Sequence, residues 1–130
     1  MNRKGILTKV RELALPVGDW VVHGSGPLVM HWLLDDVNDL DILARGAAWR
    51  AALDLGVPEP GRQDLVIRCG PDVEVWSGWL EDDVDELIDS AELMDGVPVV
   101  PLAAVLAFKE RVNRPKDRPH IVLLREHLGL

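Results

Sequence analysis

The stretch WVVHGSGPLVMHWLLDDVNDLDILA, residues 20–44, decides the reading of this chain. Trp20–His23 reads as a short apolar strand, Gly24-Ser25-Gly26 as a turn, residues 27–34 as an apolar helix and residues 39–44 as a second strand. Asp39 and Asp41 are two positions apart on that second strand, so both side chains leave the same face of a sheet. Side by side they repel unless a cation lies between them. The glycine-rich turn upstream offers backbone N–H groups of the kind that hold phosphate. Together these features point to a metal–nucleotide site.

Spacing alone does not carry that inference. Acids separated by one residue occur four times: Asp39/Asp41, Asp72/Glu74, Glu81/Asp83 and Asp83/Asp85. The last two pairs fall on an acidic helical segment and read as a solvated face. Asp39 and Asp41 differ because Leu40, Ile42 and Leu43 make their segment a core strand. Carboxylates on such a strand must meet water, a partner or a metal, since burying them unpaired is expensive.

The bulk properties narrow the class. One hundred and thirty residues suit one compact domain, 1–130, and 48% hydrophobic with 28% charged residues is an ordinary globular composition. A net charge of −8 argues against general, sequence-independent DNA or RNA binding. The single cysteine, Cys69, excludes an internal disulfide within this sequence and fits a reducing compartment. No apolar run approaches the roughly 20 residues that span a bilayer. Lys9, Arg11 and Glu12 interrupt any apolar run near the N-terminus. The expectation is a cytoplasmic protein with no membrane association.

Elsewhere the pattern alternates helices and strands. Ile6, Leu7, Val10 and Leu13 predict an amphipathic helix over 3–14, stopped by Pro16. The helix predicted over 27–34 is apolar almost all round and should be buried. A further helix is expected over 46–55, capped by Gly56, and VPEPGRQ reads as a loop. Residues 65–69 and 73–76 are strands around Gly70-Pro71-Asp72, a hairpin signal. Helices are expected over 81–91, from Pro101 onward and from Pro119 to the end, with a strand over 97–100. The fold class is α/β (α+β): a mixed sheet with helices packed on it.

The order of these features resembles the signature of the nucleotidyltransferase superfamily. That signature is an apolar strand, Gly-Gly or Gly-Ser, a helix, then a strand bearing Asp-apolar-Asp. Here His23-Gly24-Ser25 is followed, after thirteen residues, by Asp39-Leu40-Asp41-Ile42. A third acid on a later strand matches Glu74 in Asp72-Val73-Glu74-Val75, with Asp72 as second choice. The segment 97–124 is similar to the C-terminal part of small bacterial nucleotidyltransferase-like proteins, including the abortive-infection and toxin-type group. Lys109 matches their helix lysine, and Arg114, Lys116 and Asp117 their Arg-x-Lys-Asp motif.

The resemblance implies a nucleotidyltransferase-like fold and transfer of a nucleoside monophosphate from a nucleoside triphosphate to an acceptor. Asp39, Asp41 and Glu74 would hold Mg²⁺ (or Mn²⁺), with Glu74 also a candidate base. Gly24 and Ser25 would bind phosphates, and Lys109 would neutralise charge on the triphosphate. The acceptor is left open: a partner protein, an RNA end or a small molecule. The alternative is a non-catalytic nucleotidyltransferase-like binding module of antitoxin or regulatory type. A third reading, phosphoester hydrolysis on the same carboxylates, needs no acceptor.

Two parts of the chain depart from the family pattern. Asp35, Asp36 and Asn38 stand where members often carry basic or hydroxyl residues, and His120 stands where an acid is usual. His23 reads as a satisfied strand residue, while His120 and His127 lack metal-ligand spacing and are assigned no site. Trp76 and Trp79 are expected to pack in the core or at an edge rather than stack on a base.

Overall fold

The computed structural model describes residues 1–130. Seven strands form one sheet in the order β3-β4-β5-β2-β1-β7-β6, where β1 is Trp20–His23, β2 Leu40–Ala44, β3 Pro58–Pro60, β4 Leu65–Arg68, β5 Val73–Trp76, β6 Glu92–Met94 and β7 Val97–Val99. The sheet is mixed. β1 runs antiparallel to β2 and parallel to β7, and β2 runs parallel to β5.

Alternation along the central strands sorts their side chains onto two faces. Leu40, Ile42 and Ala44 point to one core with Val22, Ile6 of α1 (Arg3–Leu13) and Ala48 and Ala52 of α3 (Gly46–Ala52). Val21 and Leu43 point to the other core, beneath α4 (Val84–Asp89), α5 (Leu102–Val112) and α6 (Arg118–Leu128). Asp41 and Glu74 belong by the same alternation to this second face, where the apolar layer stops; Asp39, expected on the strand, lies in the bend just before it because β2 begins at Leu40. Helices cover both faces, and at the edge of that cover Asp41 and Glu74 are half-buried while Asp39 is exposed.

The helix expected over 27–34 is shorter: α2 is Gly26–Met30. Leu28, Val29 and Met30 are buried as anticipated, but the chain breaks at Trp32, which has φ +63° and is 77% exposed. The N–H groups of Leu33 and Leu34 both turn back to the Leu28 carbonyl, which ends the helix and aims the following loop at the cavity described below. The helix expected over 46–55 ends at Ala52, and that expected over 81–91 is trimmed to Val84–Asp89 with Asp83 capping it through Glu86 N–H.

Part of the presumed VPEPGRQ loop is the edge strand β3, paired antiparallel with β4. Pro58 and Pro60 lack N–H groups, which suits an outer edge. The second edge strand, β6, joins β7 through Asp95-Gly96, both at positive φ. No helix is long and apolar enough to cross a membrane.

Candidate active site

A cavity of about 400 Å³ opens between the N-terminal end of β2, the turn after β1 and the helical pair α5–α6. Gly24, Ser25, Asp39, Asp41 and Lys109 line it together. These residues span 86 positions of sequence from 24 to 109, counted inclusively, and meet because β1 and β2 are antiparallel neighbours while α5 crosses their ends. Glu74 is not on the lining.

The sheet register explains the acidic wall. His23, Asp41, Glu74 and Arg68 form one cross-strand row over β1, β2, β5 and β4. Neighbouring strands are about 4.8 Å apart, so Asp41 and Glu74 repel across the gap. Burial first, and then the Glu74 charge, push the Asp41 carboxyl up to about 6. Trp76 Nε1 opposes this by donating to Asp41 Oδ1 at 3.3 Å. Glu74 itself accepts from Arg68 Nη1 at 3.1 Å. Asp72, the second choice, has a buried Oδ1 with no partner and is not on the cavity lining either.

The turn after β1 fits against this wall. Gly24 sits at φ +68°, and a Cβ there would lie 2.7 Å from Asp41 Oδ2. Only glycine allows both the backbone angle and that approach. Gly24 N–H donates to His23 Nδ1 at 2.7 Å, so the ring proton resides on Nε2, which has no partner. His23 is fully buried and stacked on Trp79, with centroids 4.2 Å apart. Burial, with Lys109 second, drives its pKa down to about 3 and keeps it neutral. It is a buried strand residue, as anticipated, though half satisfied.

The opposite wall is basic and built differently. Lys109 and Asp117 are 2% and 1% exposed, and Lys109 Nζ donates to Asp117 Oδ1 at 3.2 Å. Asp117 stands in a single 3₁₀ turn, Pro115–Asp117, that follows the left-handed C-cap Asn113 of α5. Its carboxylate also accepts from the Arg114 backbone N–H, Nε and Nη2. Burial alone would raise the Asp117 pKa, but the Arg114 bonds and the Lys109 charge hold it below the usual carboxylate range. Burial pulls the Lys109 ammonium down against the attraction of Asp117. Lys109 is thus a buried helical lysine.

Lys109 Nζ also donates to Ser25 Oγ at 3.0 Å, and Ser25 Oγ lies 3.4 Å from His120 Nδ1. His120, assigned no site from sequence, therefore belongs to the lining, with its pKa lowered by burial and by Lys109. Its signal was its position three residues after Asp117 at the start of α6, which turns both the same way. Arg62, which carried no local sequence signal, also lines the cavity, as does Trp79, which is buried and stacked on His23 as a core residue. Asp36 and Asn38 line it too, so the acidic departure before Asp39 does face the site.

Two observations bear on a divalent cation. Hard carboxylate oxygens suit Mg²⁺ or Mn²⁺, and Asp41, raised first by burial and then by Glu74, forms no bond to a cationic side chain, with the Arg62 charge only partly opposing the rise. Against a complete set, no group of three or more His, Cys, Asp or Glu side chains stands in ligating arrangement. Asp39 and Asp41 fit the ion, and Glu74 fits only if it leaves Arg68.

No protein-family model matches this chain, and no curated protein matches it in sequence. Among solved structures it is similar to a crystal structure from Thermotoga maritima described as a "putative nucleotidyltransferase". The two share a TM-score of 0.63 at 18% identity, over 99% of this chain and 96% of the other. The chain has a nucleotidyltransferase-like fold over nearly its whole length.

Proposed function

We propose that the protein is a metal-dependent nucleotidyltransferase, moving a nucleoside monophosphate from a nucleoside triphosphate to an acceptor. One observation carries this: a single cavity gathers the Gly24-Ser25 turn, the Asp39/Asp41 pair and Lys109. Asp39 and Asp41 would hold Mg²⁺ or Mn²⁺, which when bound screens phosphate charge and orients the reacting oxygens. Ser25 Oγ and Lys109 Nζ, already bonded to each other, would receive the outer phosphates. Asp117 fixes Lys109 in that position, so the ammonium meets phosphate without being reorganised. Glu74, the candidate third ligand and base, would have to exchange Arg68 for the site.

That last point favours a second reading. With Glu74 held by Arg68 outside the cavity, the protein would bind a nucleotide without transferring it, as a binding or regulatory module. Incubation with Mg²⁺ or Mn²⁺, each α-labelled nucleoside triphosphate and candidate protein, RNA and small-molecule acceptors separates the two. Transfer expects labelled acceptor and released pyrophosphate, both lost in Asp41→Asn. Metal-dependent binding with no label transferred leaves the module, and absence of binding removes both.

A further inference from the structure

We propose that Arg62, carried on the β3–β4 turn and braced on Trp76 and Trp79, is a phosphate-contacting residue of this cavity. The inference rests on the nucleotide reading above and adds a residue that no part of the motif pattern supplies.

The turn is anchored at several points. Gly61 N–H donates to the Asp64 carbonyl at 2.7 Å, Asp64 Oδ2 accepts from Leu80 N–H, and Leu65 N–H donates to Ser77 Oγ. Arg62 projects from it over the two indoles, its guanidinium carbon 4.6 Å from the Trp76 centroid and 5.1 Å from that of Trp79. A guanidinium held by its face on aromatic rings keeps its edge N–H groups free, and that edge is the fork that matches phosphate oxygens.

The cavity's other cations sharpen the assignment. Arg62, Lys109, Arg114 and Lys116 line it. Lys109 and Arg114 are both taken up by Asp117, whereas Lys116 and Arg62 form no ion pair and no hydrogen bond to protein, and of these two only Arg62 is held on aromatic rings. The Arg62 charge partly offsets the rise in the Asp41 pKa, yet the indoles and not a carboxylate hold its guanidinium. Its support joins the acidic wall directly, because Trp76 Nε1 donates to Asp41 Oδ1. Arg62 therefore stands at the carboxylate end and Lys109 at the Ser25 end, and a phosphate chain would lie between two cations.

The test is titration of the full-length protein with each nucleoside triphosphate and with inorganic tripolyphosphate in Mg²⁺, by calorimetry and by tryptophan emission. Removing charged hydrogen bonds to phosphate should weaken binding by about tenfold or more in Arg62→Ala. The loss should appear equally for tripolyphosphate, since the contact is to phosphate and not to base. Arg62→Lys should restore it only in part, because lysine lacks the stacked fork. Binding should also alter tryptophan emission in the wild type and much less in Arg62→Ala, with circular dichroism confirming the fold of both variants. Wild-type binding with unchanged affinity in Arg62→Ala overturns the Arg62 role and leaves the nucleotide reading standing. No binding by the wild type overturns both.

Discussion

On the basic wall of the cavity, Lys109 and Asp117 are almost fully buried and bonded to each other, with Arg114 completing the set. On the acidic wall, Asp41 faces Glu74 one strand away and Asp39 two residues away, and no protein cation bonds either aspartate. The basic wall is electrostatically finished: removing one member would strand a buried charge. The acidic wall is held in repulsion by the sheet register, which a bound cation would relieve. Lys109 thus has its counter-charge bonded within the protein, whereas Asp41 has only the unbonded Arg62 guanidinium nearby.

The largest test attacks the finished wall. Lys109→Met should cost about 3–5 kcal/mol by leaving buried Asp117 under-compensated, lowering the melting temperature by roughly 10 °C or more. Thermal denaturation at pH 7 checks it, and a loss below about 1 kcal/mol would show the pair to be dispensable for stability.

Asp41→Asn should act with the opposite sign. The folded pKa of about 6 lies above the unfolded 3.8, so the Asp41 contribution is full below 3.8 and is lost as pH rises through 6. The metal-free wild type is therefore penalised above pH 6 by up to roughly 3 kcal/mol, which the uncharged Asn escapes. Melts at pH 8 without metal should place Asp41→Asn above the wild type, with the gap closing toward pH 4. A variant less stable than wild type at pH 8 would break the contrast between the walls.

The smallest effect sharpens the role of Glu74. Arg68 is exposed, so Arg68→Gln should change stability by less than about 1 kcal/mol. If Glu74 is the third metal ligand, releasing it should tighten Mg²⁺ binding in a calorimetric titration. Unchanged Mg²⁺ affinity would assign the ion to Asp39 and Asp41 alone.

Much of the scaffold was legible because its signals are local. β1, β2 and β5 show apolar runs with the carboxylates at alternating positions, and the Gly70-Pro71-Asp72 hairpin falls as expected. β6 was missed although Asp95-Gly96 is a hairpin signal, because a three-residue strand has too little periodicity to register. β3 reads as loop in the sequence, where its two prolines argue against a strand, and only pairing with β4 makes an edge of it. Trp32 reads as helical and buried from its neighbours, yet the turn back to Leu28 sends it outward.

The sequence by itself determined the central strands β1, β2 and β5, their apolar faces, the Gly24-Ser25 turn and the spacing of Asp39 and Asp41, since each depends on residues a few positions apart. Only the tertiary structure decided which charges meet. It put Glu74 beside Asp41 but in the hands of Arg68, buried Lys109 against Asp117, and brought Arg62 and His120 to the cavity. Coulomb and hydrogen-bond energies depend on distance in space, and chain spacing does not encode distances set by sheet order and helix docking.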